Sequence, residues 1–259
     1  MSGETLAILG GTPAVTEPLP HFQWPSRGEQ EAAAVLEILR KGELSYPRRT
    51  GAIAALEDAF GHLVGVPYAI SCHSGSAAIH AGYFALDVAR GSEVLVPAYT
   101  HLATALPMLH VGLEPVPCDI DPETGNLDPK DAATRVTSET VAIAYTHQYG
   151  HSCDIAALAD LARQYALRLL ADCSHAHGST IDGRHLGAEA DVGCFSLQAH
   201  KTVSGGEGGI LVTRDARIVE RAALLGHFRE QREFTSAALA PFLGKGLGVM
   251  RLWPWDAAD

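Results

Sequence analysis

From Tyr68 onward, short apolar runs alternate with stretches of helical apolar spacing, and no other feature limits the fold as much. Strands are expected at Tyr68 to Cys72, Glu93 to Pro97, Glu114 to Cys118, Val141 to Thr146, Arg168 to Asp172, Val192 to Ser196 and Gly209 to Thr213. Helices are expected at Ala77 to Val88, Leu102 to Leu109, Asp128 to Arg135, Ile155 to Tyr165 and Ala216 to Leu225. Repeated strand–helix units bury their apolar faces as an α/β fold, a mostly parallel sheet with helices on both faces. Ligands of such sheets sit at the carboxyl ends of the strands, where Asp172, Ser196 and the turn Ser74-Gly75-Ser76 all fall.

Ahead of this region, Glu29 to Arg40 and Ile53 to Leu63 have amphipathic helical spacing. Residues 1–27 are irregular and rich in Gly and Pro, as expected of an N-terminal arm. One large domain over 28–241 is expected, followed by a poorly patterned segment over 242–259. A net charge of −11 argues against nucleic acid as the main partner, while leaving room for an anionic small ligand held by local dipoles. No apolar stretch is long enough to span a bilayer, so no membrane partner is expected. The N-terminus lacks the basic start and long apolar run of a signal peptide. Five cysteines form no CxxC pair and read as reduced thiols of a cytoplasmic protein.

Among the four lysines, only Lys201 lies between an apolar strand-like run ending at Ser196 and a glycine-rich loop, Gly205-Gly206-Glu207-Gly208-Gly209. A lone lysine beside a loop is more often a solvated surface residue. This one is paired in kind with Asp172, at the end of the apolar run Leu169-Leu170-Ala171. A buried amine and a carboxylate are what an enzyme needs to hold pyridoxal phosphate as an imine and keep its ring nitrogen protonated. Asp172 alone reads equally well as a helix cap or turn residue. Ser74-Gly75-Ser76 is either an ordinary cap or a phosphate seat, where free amides and the helix dipole meet an anion. His175 and His177, and His147 and His151, are spaced as loose pairs, and no zinc-type spacing appears, so no metal is expected.

With these residues assembled, the chain resembles the DegT/DnrJ/StrS family of pyridoxal phosphate-dependent aminotransferases of fold type I. The likeness runs from about Leu9 to about Phe228. It covers Ser74 to His80, Val94 to Ala105, the landmarks Asp119-Ile120-Asp121 and Asn126-Leu127-Asp128, Ala171 to Gly178, and Ser196 to Gly209. The resemblance implies Lys201 as the Schiff-base lysine and proton shuttle, and Asp172 as partner of the pyridine nitrogen. It implies His175 near the ring 3-hydroxyl, Gly75, Ser76 and Ser196 as phosphate ligands, and His101 at the ring-stacking position. That position usually holds Trp, Phe or Tyr.

The implied reaction moves an amino group from glutamate or glutamine to a keto-cyclitol or a nucleotide-linked keto sugar, in a homodimer. It belongs to antibiotic or surface-sugar biosynthesis. Two other readings remain. One is a sugar 3-dehydratase, whose relatives place histidine at the lysine position; His200 adjoins Lys201 here. The other is a catalytically silent binding paralogue. The family continues past this chain with a smaller domain and an asparagine motif. Gly246 to Pro254 holds no matching asparagine, so the C-terminal small domain is expected to be missing.

Overall fold

The protein is described from a computed structural model that covers residues 5–16, 28–42, 44 and 49–225. The expected segment at 242–259, and the end of the expected domain beyond 225, lie outside the described residues. Within the expected N-terminal arm, Ala7–Leu9 forms a single 3₁₀ turn.

Two helices come first, α1 (Glu29–Lys41) and α2 (Gly51–Val64). The alternating region follows as β1 (Tyr68–Cys72), α3 (Gly75–Ala85), β2 (Glu93–Pro97), α4 (Leu102–Val111) and β3 (Glu114–Cys118). It continues as α5 (Pro129–Thr134), β4 (Thr140–Thr146), α6 (Ile155–Tyr165) and β5 (Arg168–Asp172). A small hairpin, β6 (Thr180–Ile181) and β7 (Arg184–His185), precedes β8 (Val192–Ser196), β9 (Gly209–Thr213) and α7 (Ala216–Leu224).

Seven strands form one sheet in the order β1-β9-β8-β5-β4-β2-β3. The pairs β3–β2, β2–β4, β4–β5 and β5–β8 are parallel. β9 runs antiparallel to both β8 and β1. The sheet is therefore mostly parallel, as expected, with its antiparallel part at one edge. The two-residue strands β6 and β7 were not expected, because two residues are too short to display a period.

Period-two alternation divides the strand residues between two cores, one on each face of the sheet. Leu95, Ile143, Tyr145, Leu169, Phe195 and Ile210 pack with α2 and α6 residues such as Phe60 and Leu158. Val94, Val96, Ala142, Ala144, Leu170 and Leu211 pack with Ile79 and Tyr83 of α3, Met108 of α4 and Ile218 of α7. Helices thus cover both faces, and the carboxyl ends of the parallel strands are left open for a site.

Element limits differ from expectation where local caps decide them. α3 begins at Gly75 rather than Ala77, because Ser74 Oγ accepts a hydrogen bond from the Ala77 amide and caps the helix. It ends at Ala85 rather than Val88, since Asp87 adopts a left-handed φ of 56°. All five cysteines are free thiols. Burial pushes Cys72 and Cys153 up to about 12 and Cys118 up to about 11, so these three stay protonated and inert. Among the described residues, no helix is long and apolar enough to cross a membrane.

Candidate active site

A cavity of about 300 Å³ opens at the carboxyl end of the sheet. That is at the small end of ordinary small-molecule sites, about 300–1,000 Å³. Gly75, Ser76, His101, Asp172, His175, Ser196 and Lys201 all line it. The sequence places these residues in four separate segments, and the fold brings every one of them to the same cavity. Thr100, Thr146, Gln148, Ser174, Gln198 and Glu207 line it as well, and sequence reading did not single them out.

Asp172 ends β5 and is 3% exposed. Its Oδ2 accepts from Thr104 Oγ1 at 2.7 Å, and its Oδ1 accepts from the Ser174 amide at 3.0 Å. Behind it, Thr104 Oγ1 and Thr100 Oγ1 lie 2.7 Å apart, and Thr100 Oγ1 and Thr146 Oγ1 lie 2.8 Å apart. A carboxylate only accepts, so Thr104 gives it the single hydroxyl proton. Thr104 then accepts from Thr100, and Thr100 from Thr146. Three hydroxyls from α4, its leading loop and β4 therefore point their dipoles toward Asp172 and polarise one another.

Lys201 lies on the loop between the antiparallel strands β8 and β9. The Lys201 amide donates to Gln198 O at 2.8 Å, and Gly205 N donates to Leu197 O at 2.9 Å, closing a compact turn. Burial lowers the Lys201 amine below its usual range, with the Asp172 charge opposing that shift. A larger share of the amine is therefore unprotonated and nucleophilic at neutral pH.

The turn before α3 presses against β8. A Cβ on Gly75 would meet Ser196 Cβ at 2.6 Å and Ser196 Oγ at 3.0 Å, so no side chain fits there. Glycine brings its amide, and that of Ser76, to the cavity in the first turn of an 11-residue helix. First-turn amides have no intrahelical acceptor and face outward with the positive end of the helix dipole. Together with the Ser196 side chain they make a donor set suited to an anion.

His101 is exposed at the rim and caps α4, its Nδ1 accepting from the Ala103 amide at 3.1 Å. His175 is half-buried. Burial and the Lys201 charge lower it, with Asp172 opposing, so its imidazole is held toward the neutral form.

Residues 25–245 match the DegT/DnrJ/EryC1/StrS aminotransferase family. The chain belongs to that family. It is 37% identical over 198 residues to Protein MosB of Rhizobium meliloti, covering 76% of this chain and 39% of that protein. It is 36% identical over 222 residues to the L-glutamine:2-deoxy-scyllo-inosose aminotransferase of Streptomyces lividus, covering 84% of this chain and 52% of that protein. The X-ray structure of the aminotransferase from Psychrobacter cryohalolentis superposes with a TM-score of 0.74 at 33% identity, over 77% of this chain and 50% of that one. The chain thus spans about half the length of the curated relatives it matches, or less.

Proposed function

We propose that this chain carries the cofactor-holding part of a pyridoxal phosphate-dependent aminotransferase. Its substrate would be a keto-cyclitol or a nucleotide-linked keto sugar, and its amino donor glutamine or glutamate. The observation that carries this reading is the convergence of Lys201, Asp172 and the Ser74–Ser76 turn on one cavity. The glutamine and inosose in the name of the Streptomyces lividus relative favour a cyclitol substrate and a glutamine donor.

The donor set fits the cofactor. The Gly75 and Ser76 amides and Ser196 would take its phosphate, Asp172 its ring nitrogen and His175 its 3-oxygen, with His101 against the ring. When bound, the cofactor supplies an aldehyde that captures amines and a ring that withdraws electrons from the bond being broken. Lys201 Nζ, held below its usual range, would hold the cofactor's aldehyde carbon and would move a proton to and from the reacting carbon. Asp172, fixed by Thr104 and Ser174, holds a proton on the ring nitrogen through a charge-assisted bond. The dehydratase reading needs histidine where Lys201 stands. His200 is exposed and does not line the cavity, whereas Lys201 does, which favours transamination.

The reading includes a homodimer in a reducing cytoplasm. Leu102, Leu106 and Leu109 leave an exposed apolar stripe on α4 beside His101, and the cysteines are free thiols. Reduction of the chain with borohydride in the presence of pyridoxal phosphate, followed by peptide mapping, tests the central assignment. The phosphopyridoxyl mark is expected on Lys201. A mark on Lys41, Lys130 or Lys245 instead, or none, contradicts it.

A further inference from the structure

Tyr149 occupies the left-handed region, φ 52° and ψ 23°, within the short turn Gln148–Gly150. Asp87, Asp182 and Ala166 share that region among the described non-glycine residues, but aspartate tolerates it and alanine carries little bulk. An aromatic side chain there is strained, and the ring is 78% exposed, so burial in the core does not compensate. The compensation lies in what Tyr149 touches. Its amide donates to His175 Nδ1 at 3.3 Å. Its ring stacks parallel on the His175 imidazole, 5.5 Å between centroids and 6° between planes. Its hydroxyl lies 2.9 Å from the Tyr99 hydroxyl.

The flanking residues hold this arrangement in place. The Gln148 amide donates to Asn126 Oδ1 at 2.9 Å, and Gln148 Nε2 donates to Tyr99 O at 3.1 Å. Gly150, at φ 82°, approaches the His175 backbone so closely that a Cβ would meet His175 O at 3.0 Å. A neutral imidazole has one protonated nitrogen. With Nδ1 accepting from Tyr149, the proton belongs on Nε2.

We propose that Tyr149 is a positioning residue: its amide sets His175 as the Nε2–H tautomer and its ring fixes the imidazole plane, so the cavity offers a ligand oxygen a donor at that point. The lowered basicity of His175 keeps the ring in the neutral form for which this choice matters. That the ligand oxygen is the 3-oxygen of pyridoxal phosphate rests on the functional reading above; the tautomer does not.

The test uses the full chain with ¹⁵N-labelled histidine, without ligand, at a pH where imidazoles are neutral. His175 is assigned by the signals lost in His175→Gln. A pyridine-like Nδ1 and a pyrrole-like Nε2 are expected. Tyr149→Gly keeps the left-handed backbone and should keep the tautomer. Tyr149→Val disfavours that backbone and should mix the two tautomers. Both variants should bind pyridoxal phosphate more weakly, by roughly two- to tenfold: the glycine variant loses the stacked ring that fixes the imidazole plane, and the valine variant loses the amide bond to Nδ1 as well. A proton on Nδ1 in the parent chain overturns the proposal, as do unchanged tautomer and affinity in both variants. Should the valine variant not fold, an unchanged dissociation constant in the glycine variant overturns it. If the parent chain binds no pyridoxal phosphate, the functional reading fails and the tautomer alone decides this one.

Discussion

Thr104 spends its one hydroxyl proton on Asp172, and that choice orients the hydroxyls of Thr100 and Thr146 behind it. Thr104→Val keeps the shape, removes the donor and leaves a carboxylate oxygen short of a partner at 3% exposure. An unsatisfied buried polar group costs about 1–3 kcal/mol. The dissociation constant for pyridoxal phosphate should therefore rise roughly tenfold in Thr104→Val and stay near the parent value in Thr104→Ser. Equal affinity for all three in an equilibrium titration would show that the Thr104 hydroxyl gives Asp172 no support that binding requires. All seven residues expected at the site line the cavity; Lys201, Asp172 and the Ser74-Gly75-Ser76 turn were legible from their own strings, such as the lysine before a glycine loop, whereas His101, His175 and the role of Ser196 came only through the family resemblance. The threonine chain was not legible. Its members lie 46 and 68 residues from their partners, and a lone threonine in an apolar helix carries no mark of what the fold will bring to it.

At the scale of elements, α3 couples the cap to the anion seat. Ser74→Ala removes the cap on the Ala77 amide and should cost about 0.5–2 kcal/mol in chemical denaturation. Gly75→Ala acts differently, because its Cβ would sit 2.6 Å from Ser196 Cβ and push the helix start off β8. It should weaken pyridoxal phosphate binding more than tenfold, on the order of 1.4 kcal/mol or above. A crystal-like fit with undiminished binding would mean that the turn yields without moving its amides. Most strands and helices were legible, and α6 to the residue, because Asp154 caps it and its apolar period is clean. Strand order was not, since pairing depends on partners far apart in the chain. One clue to the antiparallel edge was present in the sequence: Leu197 to Gly208 is glycine-rich and holds no helical pattern. A parallel return needs a crossover of a dozen or more residues, usually helical, so β9 turns back beside β8 instead.

The whole molecule carries a latent sensitivity to acid, and its centre is His177. This side chain is buried against Phe60 and Phe195, and neither ring nitrogen makes a hydrogen bond of ordinary geometry among the described residues, the Ser196 backbone offering only a weak polar contact. Burial pushes its pKa down from 6.5 to about 4, the Ser196 backbone compensating only in part. The sign follows from linkage: the unfolded chain takes up a proton near pH 6.5, and the folded chain does so only near pH 4. Stability from this group is thus complete above pH 6.5 and is lost as pH falls toward 4. The loss is on the order of 2 kcal/mol after allowance for partial solvent screening. His80 and His175, both lowered chiefly by burial, add in the same direction. Glu189 enters at lower pH: burial pushes it up, but the hydrogen bond from His147 Nε2 at 3.0 Å and the backbone amides of Gly187 and Glu189 outweigh that and hold it below its usual range. His177→Phe replaces the unpartnered ring with an apolar one of similar shape, a change that is nearly neutral or stabilising where both partners of a polar contact are absent. Urea unfolding of the two proteins from pH 7.5 to 4 should give a parent curve that falls steeply below pH 6.5 and a variant curve that falls less. Parallel curves would show that the acid sensitivity lies elsewhere, and a parent curve flat over that range would show that the buried imidazole finds a proton acceptor when it needs one.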